Sequence, residues 1–304
     1  MNEKVARAGA KPSLITRPFV LLCLTMFLGY ANQWVITPVI PLYVDSLGGS
    51  AFLAGLALLA FSVPSFTVRP YVGYVADKWN AAGVLAVGLV PLTAGSLLFL
   101  VPLLMMVFIG GVVRGLGWAG LNIGGYTTLA MAAPEQRRGE AAGYYTSATA
   151  SASIIFPASG LWLIDGRGGF PSVFVVSATL ALLGLPIAMS LAREKAEAKA
   201  ALQGAGEPES GGLIDRGVLL ATGLHLCSTV AMPSVMAFLP LYARSLGIEN
   251  VGLFYVLAGV TSMIARPVLG RRSDAMGRGP AIALGLGAQF IGFLRIAIAN
   301  DLPL

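Results

Sequence analysis

Arg114 sits in the middle of an apolar stretch, residues 103–131, that contains no aspartate or glutamate. A guanidinium at that depth is costly in hydrocarbon and normally faces a bundle interior or a water-filled cavity. Trp118 and Asn122 follow it at i+4 and i+8, so the three share one helical face. Counted inward from their ends, other apolar runs place Asn32 and Gln33, His225 and Gln289 at comparable depth. A guanidinium, amides and an imidazole converging at one level could hold the polar part of a small solute, with Trp118 against its apolar part. The same groups could instead satisfy Arg114 inside the fold, and His225 could be a hydrogen-bonded core histidine; both readings stay open. Tyr30, Trp34 and Thr37 share a face of the first run, and Tyr126, Tyr144 and Tyr145 lie toward the ends of theirs. Such aromatics suit stacking or cation–π contact with an amphipathic or cationic solute, and equally plain packing.

Proton chemistry has few candidates. Asp45, Glu140 and Asp165 lie at the ends of apolar runs, and His225 is the one histidine, with an ordinary pKa near neutrality. Either His225 or Asp45 could carry a proton, the group could lie on further helices, or no proton need be coupled. A lone histidine cannot build a metal cluster. Cys23 and Cys227, both in apolar runs, propose neither a disulfide framework nor a zinc site. With no phosphate-cradling loop and no nucleophile motif, an enzyme is excluded, and neither cofactor nor metal is expected.

The elements that must position these groups are membrane helices. A hydrophobic fraction of 56%, a charged fraction of 11% and a mean hydropathy of +0.79 rule out an ordinary soluble domain. Runs close to the ~20 residues that cross a bilayer fall at 18–44, 51–70, 81–101, 103–131, 141–164, 171–191, 214–243, 250–270 and 279–300. The fold class is thus all-α and polytopic, with the break between the third and fourth runs near Pro102. The first run has a basic start without a cleavage site and reads as a retained helix. Residues 192–213 form the one long polar segment, read as a short charged helix and a flexible linker. It divides a tail (1–17) and six-helix bundle (18–191) from a three-helix bundle (214–304). The net charge of +6 lies between the runs, where it marks orientation and not nucleic-acid binding. With the N-terminus in the cytoplasm, sixteen basic residues, from Lys4 and Arg7 through Lys78, Arg137, Arg138 and Lys199 to Arg272 and Arg278, are cytoplasmic, against Arg167 and Arg244 outside. The positive-inside rule selects that topology.

Two segments repeat. Residues 41–48, PLYVDSLG, are echoed by PLYARSLG at 240–247, and Arg69-Pro70-x-x-Gly73-x-x-x-Asp77 by Arg266-Pro267-x-x-Gly270-x-x-x-Asp274. Such duplication points to two related bundles. With the apolar runs, these segments make the chain resemble the major facilitator superfamily, whose cytoplasmic signature is G-x-x-x-D-(R/K)-x-G-(R/K)-(R/K). Arg114-Gly115-Leu116-Gly117 is similar to that family's motif in helix 4, Pro134–Gly139 to its following loop, and Phe156-Pro157-Ala158-Ser159-Gly160 to a degraded form of its exporter motif.

The resemblance implies a fold with a complete N-terminal six-helix bundle and a partial C-terminal one. It implies alternating access, with proton-linked efflux of a small amphipathic solute as the leading expectation. Metabolite uptake, with Arg114 on an anionic group, is the alternative, as is a chain without transport activity. It also implies that Arg69, Gly73 and Asp77, and likewise Arg266, Gly270 and Asp274, form a conformational switch. The glycines would allow close backbone approach, and the loop aspartates would latch onto facing helix N-termini. Expected partners are a small-molecule substrate, protons and the lipid bilayer of the plasma membrane, with the chain a monomer. Because the family has twelve helices, a chain ending after the ninth is expected to be a truncated form.

Overall fold

A computed structural model describes residues 15–133, 138–166, 168–201, 223, 231–245, 252–261 and 278–298. Its secondary structure, among these residues, is entirely helical. The chain divides into two units, Met1–Gly206 and Glu207–Leu304.

In the first unit, α1 (Arg17–Ile36) starts where Thr16 Oγ1 accepts the Phe19 N–H at 3.4 Å, with Pro18 in the first turn. That proline has no N–H to leave unpaired there. α1 ends before Pro38, and the short α2 (Val39–Ser46) completes the same 30-residue span, Arg17–Ser46. The run expected as one helix is thus broken near its C-terminal third. Ser46 Oγ closes α2 by donating to the Tyr43 carbonyl at 2.7 Å, and the chain then reverses at Gly48, whose φ of +79° favours glycine.

α3 (Ala51–Thr67) and α4 (Arg69–Lys78) meet at an angle of 42°. This corrects the sequence expectation: the first R-P-x-x-G-x-x-x-D segment, Arg69–Asp77, is a helix and not a loop. Pro70 lies in the first turn of α4, a position where proline favours a helix start. α5 (Ala81–Leu98) is capped by Asn80, whose Oδ1 accepts from Ala82 N and Gly83 N at 3.1 and 3.3 Å. α6 (Leu104–Ala132), α7 (Arg138–Asp165) and α8 (Gly169–Ala201) complete the unit. The break between α5 and α6 brackets Pro102, as expected. The charged stretch from Ala192 continues α8 without interruption and is no separate helix. It is tied back by Asn80 Nδ2 donating to the Ala192 carbonyl at 2.9 Å and by an Arg17–Glu194 ion pair at 3.3 Å.

Among the described residues, five helices are long and apolar enough to cross a membrane, or six if α3 and α4 form one bent span. Their packing is the inverse of a soluble bundle. Large aliphatic side chains such as Leu24, Val87, Val90, Leu97, Leu116 and Leu183 are exposed, while small residues fill the helix crossings. A side chain at Gly88 would meet the α6 backbone at Leu121 N, 2.6 Å away, and one at Gly124 would meet Leu85 N at 2.5 Å. Backbones in contact are what membrane helices use in place of a hydrophobic drive. A core of Leu22, Met26, Leu85, Leu89, Leu121 and Leu191 joins α1, α5, α6 and α8, with Tyr145 of α7 buried among them.

In the second unit the described helices are α9 (Ala231–Ser245), α10 (Gly252–Thr261) and α11 (Arg278–Ile298). The repeated segment repeats its structure: Ser245 Oγ donates to the Tyr242 carbonyl at 2.7 Å, the same bond that ends α2.

Candidate functional site

Arg114 lies inside the first unit, 2% exposed, and four helices meet on it. Gly95 makes this possible, because a Cβ there would lie 2.5 Å from Arg114 Cγ. The guanidinium Nη1 donates to Ser96 Oγ of α5 and to Ser177 Oγ of α8, the latter at 3.4 Å. Nη2 donates to Gln33 Oε1 at 2.8 Å and to the Asn32 carbonyl at 3.5 Å, both on α1. Asn32 and the serines interlock further. Asn32 Nδ2 donates to Ser177 Oγ and to the Ser177 carbonyl at 2.7 and 2.8 Å, and Ser177 Oγ donates to the Asn32 carbonyl at 3.0 Å. Ser96 Oγ donates to the Leu92 carbonyl at 2.7 Å. Asn32 Oδ1 is buried and has no donor among the described residues. Every acceptor on Arg114 among the described residues is neutral.

One side of this network is closed by an aromatic layer. Tyr43 OH donates to the Phe99 carbonyl at 2.9 Å. The Tyr43 and Phe99 rings pack on Phe174 with centroids 4.8 and 5.4 Å apart. The Phe99 ring lies 5.9 Å from the Arg114 guanidinium carbon. On another side Gln33 is half-buried, the one side-chain partner of Arg114 that is not fully buried.

One helical turn along α1 and α6, Tyr30 and Trp118 stack with centroids 4.8 Å apart, and Phe61 of α3 lies 6.2 Å from Trp118. Tyr30 OH donates to Asn122 Oδ1 at 2.8 Å, while Asn122 Nδ2 donates to the Trp118 carbonyl at 2.9 Å. A turn further, the half-exposed Tyr126 packs on the buried Tyr145 at 5.1 Å. Gln33, Tyr30, Trp118 and Phe61 are all half-buried. They form a face with an aromatic floor and amide edges, suited to an amphipathic small molecule.

The structure therefore brings Asn32, Gln33 and Arg114 into one network and places Trp118 and Asn122 on the adjoining turn. Sequence reasoning missed Ser96, Ser177 and Phe61. Serines in apolar helices are common, and nothing in their spacing marks these two; Gly95, which makes room for the guanidinium beside Ser96, was the nearest signal. His225, Arg266, Gly270 and Asp274 lie outside the described residues. Gln289 and Arg295 lie on α11, half-buried and exposed respectively. Of the first switch segment, Arg69 and Asp77 are exposed on α4. A Cβ on Gly73 meets nothing within 4 Å, so the close approach expected of this glycine is not made among the described residues. No group of three metal-ligating residues occurs among the described residues.

Polytopic helices with an inverted interior, a buried cation held by four of them and a half-exposed amphipathic face define an integral membrane protein of the transporter class. The chain matches the model of the Major Facilitator Superfamily over residues 22–303 and belongs to that family. It is 21% identical over 259 residues to the staphylopine export protein of Staphylococcus aureus, covering 82% of this chain and 64% of that protein. It is 24% identical over 165 residues to the quinolone resistance protein NorA of Staphylococcus aureus, covering 53% and 42%. The crystal structure of a D-xylose-proton symporter superposes with a TM-score of 0.63 at 17% identity, covering 88% of this chain and 71% of that one. The chain thus spans about two thirds or less of the curated relatives it matches. Family membership and these relatives point to a transporter and not to an enzyme.

Proposed function

We propose that the protein moves a small amphipathic solute out of the cell by alternating access, coupled to protons. The carrying observation is the half-exposed face of Tyr30, Trp118, Phe61 and Gln33, backed by the fixed cation of Arg114. The export protein among its relatives supports the direction. In this reading Trp118 and Tyr30 stack on the apolar body of the solute, Asn122 orients its polar groups, and Gln33 borders the face beside Arg114. The Arg69–Asp77 segment and its counterpart at Arg266–Asp274 latch one state through helix N-termini. The N-terminus lies in the cytoplasm of a plasma-membrane protein, and His225 or Asp45 carries the proton.

The test is efflux of a fluorescent amphipathic dye from cells expressing the chain, with and without a proton gradient. Export should require the gradient and fall about tenfold in Trp118→Ala, the loss expected when one stacking contact worth roughly 1.4 kcal/mol is removed. Gradient-independent export, or wild-type export by Trp118→Ala and Asn122→Ala together, counts against the reading.

A further inference from the structure

Arg114 carries a full positive charge among neutral acceptors, and its surroundings are asymmetric. Ser96, Ser177 and the Asn32 carbonyl are buried and bonded to one another, so they cannot leave without opening the crossing of α1, α5 and α8. Gln33 differs. It is half-buried, and among the described residues its remaining side-chain hydrogen bond is a long one, 3.4 Å from Nε2 to Thr37 Oγ1 on its own helix. A neutral amide oxygen at 2.8 Å is also a weaker partner for a guanidinium than a carboxylate, whose two oxygens match the N–H fork.

We infer that Gln33 is an exchangeable cap on Arg114, displaced when the carboxylate of an aromatic or amphipathic acid binds, so that the solute pairs its anionic group with Arg114 and stacks its ring on Trp118 and Tyr30. The inference rests on the reading that this face lines the solute path, and it names the charge of the solute. Trp118 lies one turn from Arg114 on the same face of α6, so one small aromatic acid can touch both. The aromatic layer of Tyr43, Phe99 and Phe174 backs the guanidinium on another side and leaves Gln33 as the half-exposed approach.

The test uses the whole chain in detergent, with benzoate as probe and benzamide, its neutral isostere, as control, read by melting temperature and by equilibrium dialysis. Benzoate is expected to bind and to raise the melting temperature, and benzamide to do neither. Gln33→Ala should tighten benzoate binding about threefold by removing the competing cap. Gln33→Glu should abolish benzoate binding, since an internal carboxylate occupies the guanidinium, and should raise the ligand-free melting temperature by about 3 °C. Equal effects of benzoate and benzamide, no benzoate binding to wild type or Gln33→Ala, or unchanged benzoate binding in Gln33→Glu would each overturn the inference. None of these readouts needs transport. Benzoate binding without solute movement would sink the proposed export and spare this site, and export of a neutral dye without benzoate binding would do the reverse.

Discussion

At the scale of single residues, Arg114 acts first as a tie among helices. Removing it leaves Ser96, Ser177, Gln33 and the Asn32 carbonyl short of a donor at once. Interhelical hydrogen bonds in membranes average about 0.6 kcal/mol each, so Arg114→Ala should cost on the order of 2 kcal/mol. It should be visible as a lowered thermal midpoint in detergent. Arg114→Lys keeps the charge but loses the fork geometry; it should recover part of that stability and none of the benzoate binding. Much of this network was legible beforehand. Arg114, Asn32 and Gln33 stood out because polar atoms at mid-depth in hydrocarbon must find partners. The serines did not, because a hydroxyl can always bond to its own helix, as Ser62 does to the Leu58 carbonyl. Only coordinates separate such a serine from Ser177.

Among the elements, α6 shows what sequence spacing can and cannot say. Gly111, Gly115, Gly120 and Gly124 form two four-residue glycine pairs, a pattern also used by dimerising helices. In the fold the pairs face different neighbours. Gly111 and Gly115 lie against the α3 backbone at Ala57 and Phe61, and Gly120 and Gly124 against α5 at Gly88 and Leu85. Both are consumed within the unit. Gly88→Leu should destabilise the unit by roughly 1–3 kcal/mol or more, because the atoms it meets are backbone and cannot turn aside. Gly73→Leu is the contrasting case, with open space around its Cβ. It should leave the melting temperature within about 1 °C of wild type, since a helical position with open space beyond its Cβ gains slightly in propensity. If α4 latches a facing helix as proposed, the same substitution should still slow dye efflux. The sequence located the α4 motif correctly, but the family resemblance placed its aspartate in a loop. Proline in a first turn is compatible with helix, and the outcome is a 42° bend.

For the whole molecule, the echo between residues 41–48 and 240–247 now has physical content. Each copy ends a helix with a serine hydroxyl donating to the tyrosine carbonyl three residues earlier, at 2.7 Å in both. The repeat was readable as letters; the shared hydrogen bond was not, since it depends on the rotamer of Ser46 and Ser245. The proposed topology places both copies at the outer surface. Cysteine at Gly48 should react with a membrane-impermeant maleimide added to intact cells, and cysteine at Trp79 only after permeabilisation; the opposite pattern would invert the orientation.

The four-helix grip on Arg114 has an electrical consequence. A guanidinium locked to α1, α5 and α8 cannot shift within its unit, so any displacement of that unit along the membrane normal carries an elementary charge with it. Crossing the whole potential would be worth about 2.3 kcal/mol per 100 mV, and a partial displacement a corresponding fraction. The transport cycle should therefore respond to membrane voltage even when the solute and its counter-ion together bear no net charge.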